Sequence, residues 1–108
     1  MKILTVCLGG LVRSVAFAEV LKLRYGIRDV LSLGYDFNPP ETQKMLFEWA
    51  DRIIVVERFV QEKIPVEYHS KIVVCEVGPD TYGNAKNPEL LQKASLLIYQ
   101  NKGVLGLI

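Results

Sequence analysis

The segment that decides the fold runs from residue 3 to residue 14 and reads Ile3-Leu4-Thr5-Val6-Cys7-Leu8-Gly9-Gly10-Leu11-Val12-Arg13-Ser14. It begins as an apolar, strand-like run, continues through two adjacent glycines, and leads into a helical pattern that starts at Val15. A strand, a glycine-bearing loop and a helix N-terminus in this order form an anion cradle. The backbone N–H groups point inward and the helix dipole favours negative charge. We therefore predict an anion-binding loop between the first strand and the first helix.

The predicted loop starts with a cysteine and ends with an arginine. Cys7 stands at its entrance and Arg13 at its exit. A thiol surrounded by amide N–H groups and close to a guanidinium ionises easily. The planar fork of an arginine matches two oxygens of a phosphate-like anion, and a cation at a helix start is itself favoured only beside an anion. Nucleophile and anion receptor are thus predicted within one loop.

Length, composition and charge limit the classes of protein that fit. Half of the 108 residues are hydrophobic, so we expect a single folded domain over residues 1–108. Thirteen basic and twelve acidic residues give a net charge of +1, which is no electrostatic footprint for nucleic acid or a membrane surface. Cys7 and Cys75 are far apart in strand-like surroundings and form no secreted disulfide framework, so the expected location is the cytoplasm.

Strand and helix patterns alternate along the rest of the chain. Strands are predicted at residues 3–6, 29–33, 53–56 and 71–75. Helices are predicted at residues 14–25, 40–50 and 58–64, and from Asn87 to Gly103. The unbroken β-branched run at residues 53–56 is typical of a central parallel strand. With right-handed crossovers, the pattern predicts a three-layer α/β/α sandwich with a four-stranded parallel sheet in the order 2-1-3-4.

This topology predicts where the chemistry lies. Ligands of such sheets bind at the carboxyl ends of the strands, so loop 7–13 and loop 78–83 are expected at the same edge. Asp80 would then come to the side of the sheet on which Cys7 lies. Two packing predictions accompany this arrangement. Met45, Leu46 and Trp49 should form the buried stripe of the second helix, and the apolar tail at residues 104–108 should pack on the domain.

The Cys-x5-Arg-Ser pattern, placed at a strand-to-helix turn near the N-terminus, resembles that of the low-molecular-weight protein tyrosine phosphatases. Three further segments are similar to that family: Ser32-Leu33-Gly34, Ala50-Asp51 before the third strand, and Pro79-Asp80-Thr81-Tyr82-Gly83. The resemblance covers nearly the whole chain. It implies the α/β fold predicted above and the hydrolysis of phosphate monoesters.

The resemblance also implies a role for each matched residue. Cys7 would be the nucleophile that forms a cysteinyl-phosphate, and Arg13 would bind the equatorial oxygens of the transition state. Ser14 would hydrogen-bond the sulfur, and Asp80 would protonate the leaving oxygen and then activate water. The substrate-binding residues would be Leu8, Gly9, Gly10, Leu11, Val12, Ser14 and Tyr82. Tyr82, with Tyr35 or Phe37, would form an aromatic wall of the cleft.

The implied mechanism needs neither cofactor nor metal, and the single histidine, His69, suggests no metal site. The implied substrate is a phosphorylated protein or a small phosphoester. Gly10 departs from the family, which usually has asparagine there. That asparagine braces the loop through hydrogen bonds that include the serine matched by Ser32. Without this brace the loop permits a slow enzyme or a protein that only keeps the cradle.

Three other functions fit a strand-end cysteine followed by a glycine-containing loop. A IIB-type phosphocarrier of a sugar transport system accepts phosphate on such a cysteine, but its loop usually carries small hydroxyl residues where this chain has Val12 and Arg13. Thiol-dependent arsenate reduction generally needs further relay cysteines, and only Cys75 is present. A non-catalytic anion-binding or protein-binding domain would fit the glycine at position 10. Arg13 and the late Asp80 favour the phosphatase.

Overall fold

The computed structural model describes residues 1–9 and 12–107 and contains a sheet of four strands with helices on both faces. The strands are β1 (Lys2–Cys7), β2 (Asp29–Gly34), β3 (Arg52–Val55) and β4 (Ile72–Val74). The helices are α1 (Arg13–Tyr25), α2 (Pro40–Trp49), α3 (Arg58–Lys63) and α4 (Pro88–Gln100). Short 3₁₀ helices span Tyr35–Phe37 and Val66–Lys71.

The sheet is entirely parallel and its strand order is β2-β1-β3-β4, which confirms the predicted architecture. Successive side chains of β1 point to opposite faces, as they must in a strand. Ile3 and Cys7 join a core formed with α1 and α4, whereas Leu4 and Val6 join a second core formed with α2 and α3. The central strand is therefore apolar on both sides, because helices cover both sides.

The buried face of α2 differs from the prediction. Phe47 is the buried residue of this helix, with 1% of its surface exposed, whereas Met45 is 62% exposed. Leu46 and Trp49 are only partly buried against the second core. Residues two positions apart lie on nearly opposite faces of a helix, so a face centred on Phe47 turns Met45 to solvent. The prediction of Met45 as a core residue was wrong.

The C-terminal tail packs as the sequence predicts. Leu105 is fully buried in the core formed with α1 and α4, and Leu107 packs against the same core. Gly106 has a φ of 71°, a conformation that suits glycine, and it lies beside the side chain of Met1. The tail thus contacts the start of the chain. Ile108, included in the predicted tail, lies outside the described residues.

The helices are short relative to a bilayer. The longest, α1 and α4, have 13 residues each, whereas ~20 apolar residues are needed to cross the hydrocarbon core. Within the part of the chain that the structure describes, no helix can span a membrane.

Phe47 and Met45 offer a matched pair for testing which face of α2 is buried. We expect Phe47→Ala to lower the free energy of unfolding by about 3–5 kcal/mol, because it leaves a cavity between α2 and the sheet. Met45→Ala, on the solvent side of the same helix, should change it by no more than about 0.5 kcal/mol. Urea denaturation of both variants measures the difference. Equal losses in the two variants would contradict this packing.

Candidate active site

The candidate site lies at the point where the chain changes direction across the sheet. From β1 the chain passes through α1 to β2 on one side, and then crosses through α2 to β3 on the other side. In sheets of this kind, ligands usually bind in the crevice formed where the connections change direction, which here is at the carboxyl ends of β1 and β3. Cys7 is the last residue of β1, and Val56, just after β3, donates its N–H to the carbonyl of Val6.

Cys7 and Ser14 are brought together by the turn from β1 into α1. Both residues are buried, and Cys7 Sγ lies 3.1 Å from Ser14 Oγ. Ser14 belongs to the first turn of α1, where backbone N–H groups have no partner within the helix. The sulfur therefore faces a hydroxyl and the positive end of a helix dipole, and both stabilise negative charge.

Arg13 is a buried cation held from one side. Only 3% of its surface is exposed. Its Nη1 donates to the carboxylate of Glu57 and to the carbonyl oxygen of Gly78, the latter at 2.8 Å. Glu57 lies two residues after the end of β3. Its Nε is also buried and has no hydrogen-bond partner among the described residues. The Nε–Nη2 edge of a guanidinium is well suited to binding two oxygens at once, and Nη1 is the corner held by the protein.

Hydroxyl groups beneath the loop fix the start of α1. Thr5 is fully buried, and its Oγ1 donates to the carbonyl of Ser14 at 2.8 Å. Ser32 Oγ lies 3.0 Å from Thr5 Oγ1 and 3.3 Å from the same carbonyl oxygen. Thr5 and Ser32 are directly opposite each other in the register of β1 and β2. Two strands therefore hold the residue whose hydroxyl faces Cys7.

The loop that carries Asp80 reaches the same edge of the sheet as the sequence analysis expects. Its first residue, Gly78, accepts a hydrogen bond from Arg13 through its carbonyl oxygen. The backbone N–H of Gly78 donates to Glu76 Oε2 at 3.3 Å. The other oxygen of Glu76 accepts from the N–H of Arg58 at 2.8 Å, which ties the base of the loop to α3. The side chain of Asp80 itself is exposed. Its role as an acid stays a prediction.

The three aromatic candidates differ sharply in exposure. Tyr82 is 8% exposed, and its hydroxyl donates to the carbonyl of Val77 at 2.6 Å. The hydroxyl of Tyr35 donates to the carbonyl of Lys63 at 3.1 Å. Phe37 is 77% exposed, and a Cβ added to Gly9 would lie 3.7 Å from its ring. Phe37 thus presents an accessible ring against the loop, whereas Tyr82 is mainly part of the core.

The remaining predicted loop residues have different environments. Leu8 packs against the core formed with α2 and α3, and Val12 against the core formed with α1 and α4. The side chains of Leu8 and Val12 thus anchor the two ends of the loop to the two cores. Gly10 and Leu11 lie outside the described residues, so the predicted contribution of their amides stays a prediction.

Cys75 lies in the protein interior. Burial raises the pKa of its thiol to about 12, so this sulfur is protonated at neutral pH. Its burial in the core and this protonation state speak against Cys75 as a relay thiol. Within residues 1–9 and 12–107, no group of three or more His, Cys, Asp and Glu side chains is placed to hold a metal ion.

Sequence reasoning missed two residues of the site, Thr5 and Glu57. Thr5 is a hydroxyl in an otherwise apolar central strand, and Glu57 is a carboxylate two positions beyond the end of the buried parallel strand β3. Both signals are visible in the sequence. Neither belongs to the Cys-x5-Arg pattern, and each bonds a residue far away in sequence: Thr5 bonds Ser32, 27 positions away, and Glu57 bonds Arg13, 44 positions away.

Comparison with known proteins identifies the fold. No protein-family model matches the chain, and no curated protein is significantly similar to it in sequence. Solved structures do match, and they include a low molecular weight protein tyrosine phosphatase from Bacillus subtilis, with a TM-score of 0.65 and 20% identity over 95% of this chain and 98% of that one. The chain therefore has the fold of this class of phosphatase, as the sequence resemblance implies.

Two other structures have the same fold and a bound or attached phosphate. The tyrosine phosphatase Wzb from Escherichia coli K30, in complex with phosphate, matches 99% of this chain and 98% of its own, with a TM-score of 0.71 and 17% identity. A mutant of the arginine phosphatase YwlE, with a phosphorylated active-site serine, matches 94% of this chain and 96% of its own, with a TM-score of 0.65 and 19% identity.

The hydroxyl network gives a test of how the loop is supported. We expect Thr5→Val, which removes the hydroxyl at similar volume, to lower the free energy of unfolding by about 1–3 kcal/mol, because Ser32 and the Ser14 carbonyl lose a buried partner. Thr81→Val, at an exposed position, should change it by less than about 0.5 kcal/mol. Thermal and urea denaturation measure both variants. Full stability of Thr5→Val would argue against the network.

Proposed function

We propose that this protein is a phosphomonoester hydrolase of the protein tyrosine phosphatase kind and works through a cysteinyl-phosphate. The observation that carries the proposal is that the buried cation Arg13 directly precedes Ser14, whose hydroxyl lies 3.1 Å from Cys7 Sγ. Arg13 is 3% exposed at a helix N-terminus, and its buried Nε has no partner among the described residues. An unpaired buried donor costs about 1–3 kcal/mol, and an anion in the crevice removes that cost.

In the proposed first step, the Cys7 thiolate attacks the phosphorus of the ester. The S–P bond forms as the P–O bond to the leaving group breaks, and Asp80 gives its proton to the leaving oxygen. The Nε–Nη2 edge of Arg13 and the loop amides bind the equatorial oxygens, where charge develops. The hydroxyl of Ser14, 3.1 Å from the sulfur, donates to the thiolate before it attacks and again after the S–P bond has broken.

In the second step, water attacks the phosphorus and the S–P bond breaks. The electron pair returns to the sulfur as thiolate, and the carboxylate of Asp80 takes the proton of the water. Phosphate leaves and the enzyme is restored with Asp80 protonated. In this proposal the exposed side chain of Asp80 acts on a leaving group that projects toward solvent.

The structural neighbours support this chemistry. The Wzb structure contains phosphate, and the YwlE mutant carries a phosphate on an active-site serine. The fold therefore accommodates a phosphoryl group on a side-chain nucleophile in at least one of its members. For the substrate, the exposed ring of Phe37 beside Gly9 favours an aryl phosphate such as phosphotyrosine, since aromatic rings stack in offset contact.

The test is hydrolysis of p-nitrophenyl phosphate between pH 5 and 8. We expect Cys7→Ser to abolish turnover while phosphate still binds, because the serine hydroxyl is a much weaker nucleophile. Asp80→Asn should lower kcat by about 10²–10⁴, the usual contribution of a general acid. Asp29→Asn is the control. This exposed aspartate begins β2 and pairs with Lys2 at the amino ends of the strands, opposite the end that carries the candidate site.

Two outcomes would overturn the proposal. Turnover that survives Cys7→Ser would exclude the cysteinyl-phosphate. A folded wild-type protein that binds phosphate without hydrolysing the ester would favour a carrier or a non-catalytic binding domain. A carrier would then take labelled phosphate onto Cys7 from a phosphorylated donor protein and retain it.

A further inference from the structure

We propose that Glu57 is a positioning residue that anchors Arg13 and turns its Nε–Nη2 edge toward the phosphoryl group. The inference rests on the proposed function and adds a residue that the Cys-x5-Arg pattern does not contain. Glu57 contacts Nη1 of Arg13, and the two side chains are 15% and 4% exposed. The carbonyl oxygen of Gly78 is the second acceptor at the same nitrogen, at 2.8 Å.

The position of Glu57 follows from the register of the sheet. Val6 of β1 is level with Val55 of β3, and the N–H of Val56 donates to the carbonyl of Val6. Glu57 therefore leaves the sheet one residue beyond the level of Cys7, on the other side of the crevice between β1 and β3. From there its carboxylate meets the corner of the guanidinium that lies away from Nε.

The geometry of a guanidinium explains how one corner can orient the whole group. The guanidinium is a rigid plane, so two acceptors at Nη1 restrict its rotation and leave one edge for a ligand. The two acceptors come from different segments, the turn after β3 and the start of the loop that carries Asp80. Arg13 is thereby preorganised before an anion arrives, and preorganised groups stabilise a transition state without a reorganisation cost.

Glu57 also stabilises Arg13 electrostatically. A buried cation without a counter-charge is strongly unfavourable, and the N-terminus of α1 adds a repulsive dipole. Glu57 neutralises Arg13 while the crevice holds no anion. A carboxylate that merely competed with phosphate would bind the edge that contains Nε, but Nε has no partner among the described residues. The contact at Nη1 thus fixes the guanidinium and leaves its Nε–Nη2 edge open to an anion.

The experiment compares Glu57→Ala and Glu57→Gln with Glu62→Ala, an exposed glutamate of α3, as the control. Two measurements are made: kcat and KM for p-nitrophenyl phosphate, and the affinity for inorganic phosphate by calorimetry. We expect Glu57→Ala to lower kcat about 10–100-fold, as small misplacements of a reacting group do. Its phosphate affinity should fall about 10-fold, and Glu57→Gln, which keeps an acceptor oxygen, should recover most of both losses. Glu62→Ala should match the wild type.

Glu57→Asp covers the case in which the alanine variant fails to fold. It keeps the charge but shortens the reach by one methylene, so an anchor predicts about a 10-fold loss in kcat. Tighter phosphate binding in Glu57→Gln than in the wild type would show competition instead and overturn the proposal. Wild-type kinetics in Glu57→Asp and Glu57→Ala would overturn it as well.

The two measurements separate this proposal from the proposed function. If the wild type hydrolyses the ester and the Glu57 variants match it in both measurements, the anchor is wrong and the hydrolase stands. If the wild type is inactive but Glu57→Ala weakens phosphate binding, the hydrolase is wrong and the anchor stands. Unfolding curves of each variant show whether the compared proteins are folded.

Discussion

The burial of the Arg13 guanidinium at the start of α1 is the constraint on which the rest of the site depends. A cation there is opposed by the helix dipole and by the loss of water, so the protein must surround it with acceptors. It does so with the carboxylate of Glu57 and the carbonyl of Gly78, from two segments far apart in sequence. The same contacts tie the turn after β3 and the base of the Asp80 loop to the start of α1.

The sheet makes this convergence possible. Because all four strands are parallel, their carboxyl ends meet at one edge, and the connections change direction between β1 and β3, where ligands of such sheets bind. The two cores keep the strands fixed from both faces, with Phe47 on one side and Leu105 on the other. Thr5 then extends the support of the sheet into the first turn of α1, since its hydroxyl reaches the Ser14 carbonyl. Cys7 and Ser14 are therefore held by the buried sheet and by the first turn of α1.

Local patterns in the sequence were sufficient to predict the fold and one part of the site. β-branched runs, helix stops and the Cys-x5-Arg spacing are local signals, and they led to the strand order and to the proximity of Cys7 and Ser14. Choosing between Met45 and Phe47 as the buried residue required knowing which face of α2 packs on the sheet. A short apolar pattern does not determine that face. Glu57 stands out in the sequence as a carboxylate after a buried strand, but its contact with Arg13 could not be predicted because the two residues are 44 positions apart.

Whether Cys7 is the nucleophile is decided by identifying the residue that carries the phosphoryl group during turnover. Wild-type protein mixed with p-nitrophenyl phosphate is quenched within the first turnovers and digested with trypsin, and the peptides are mapped by mass spectrometry. The account predicts one phosphoryl group on the sulfur of Cys7, in the peptide of residues 3–13, and none on Cys75. Hydrolysis of the ester with Cys7 unmodified, or with the phosphoryl group on another residue, would contradict it.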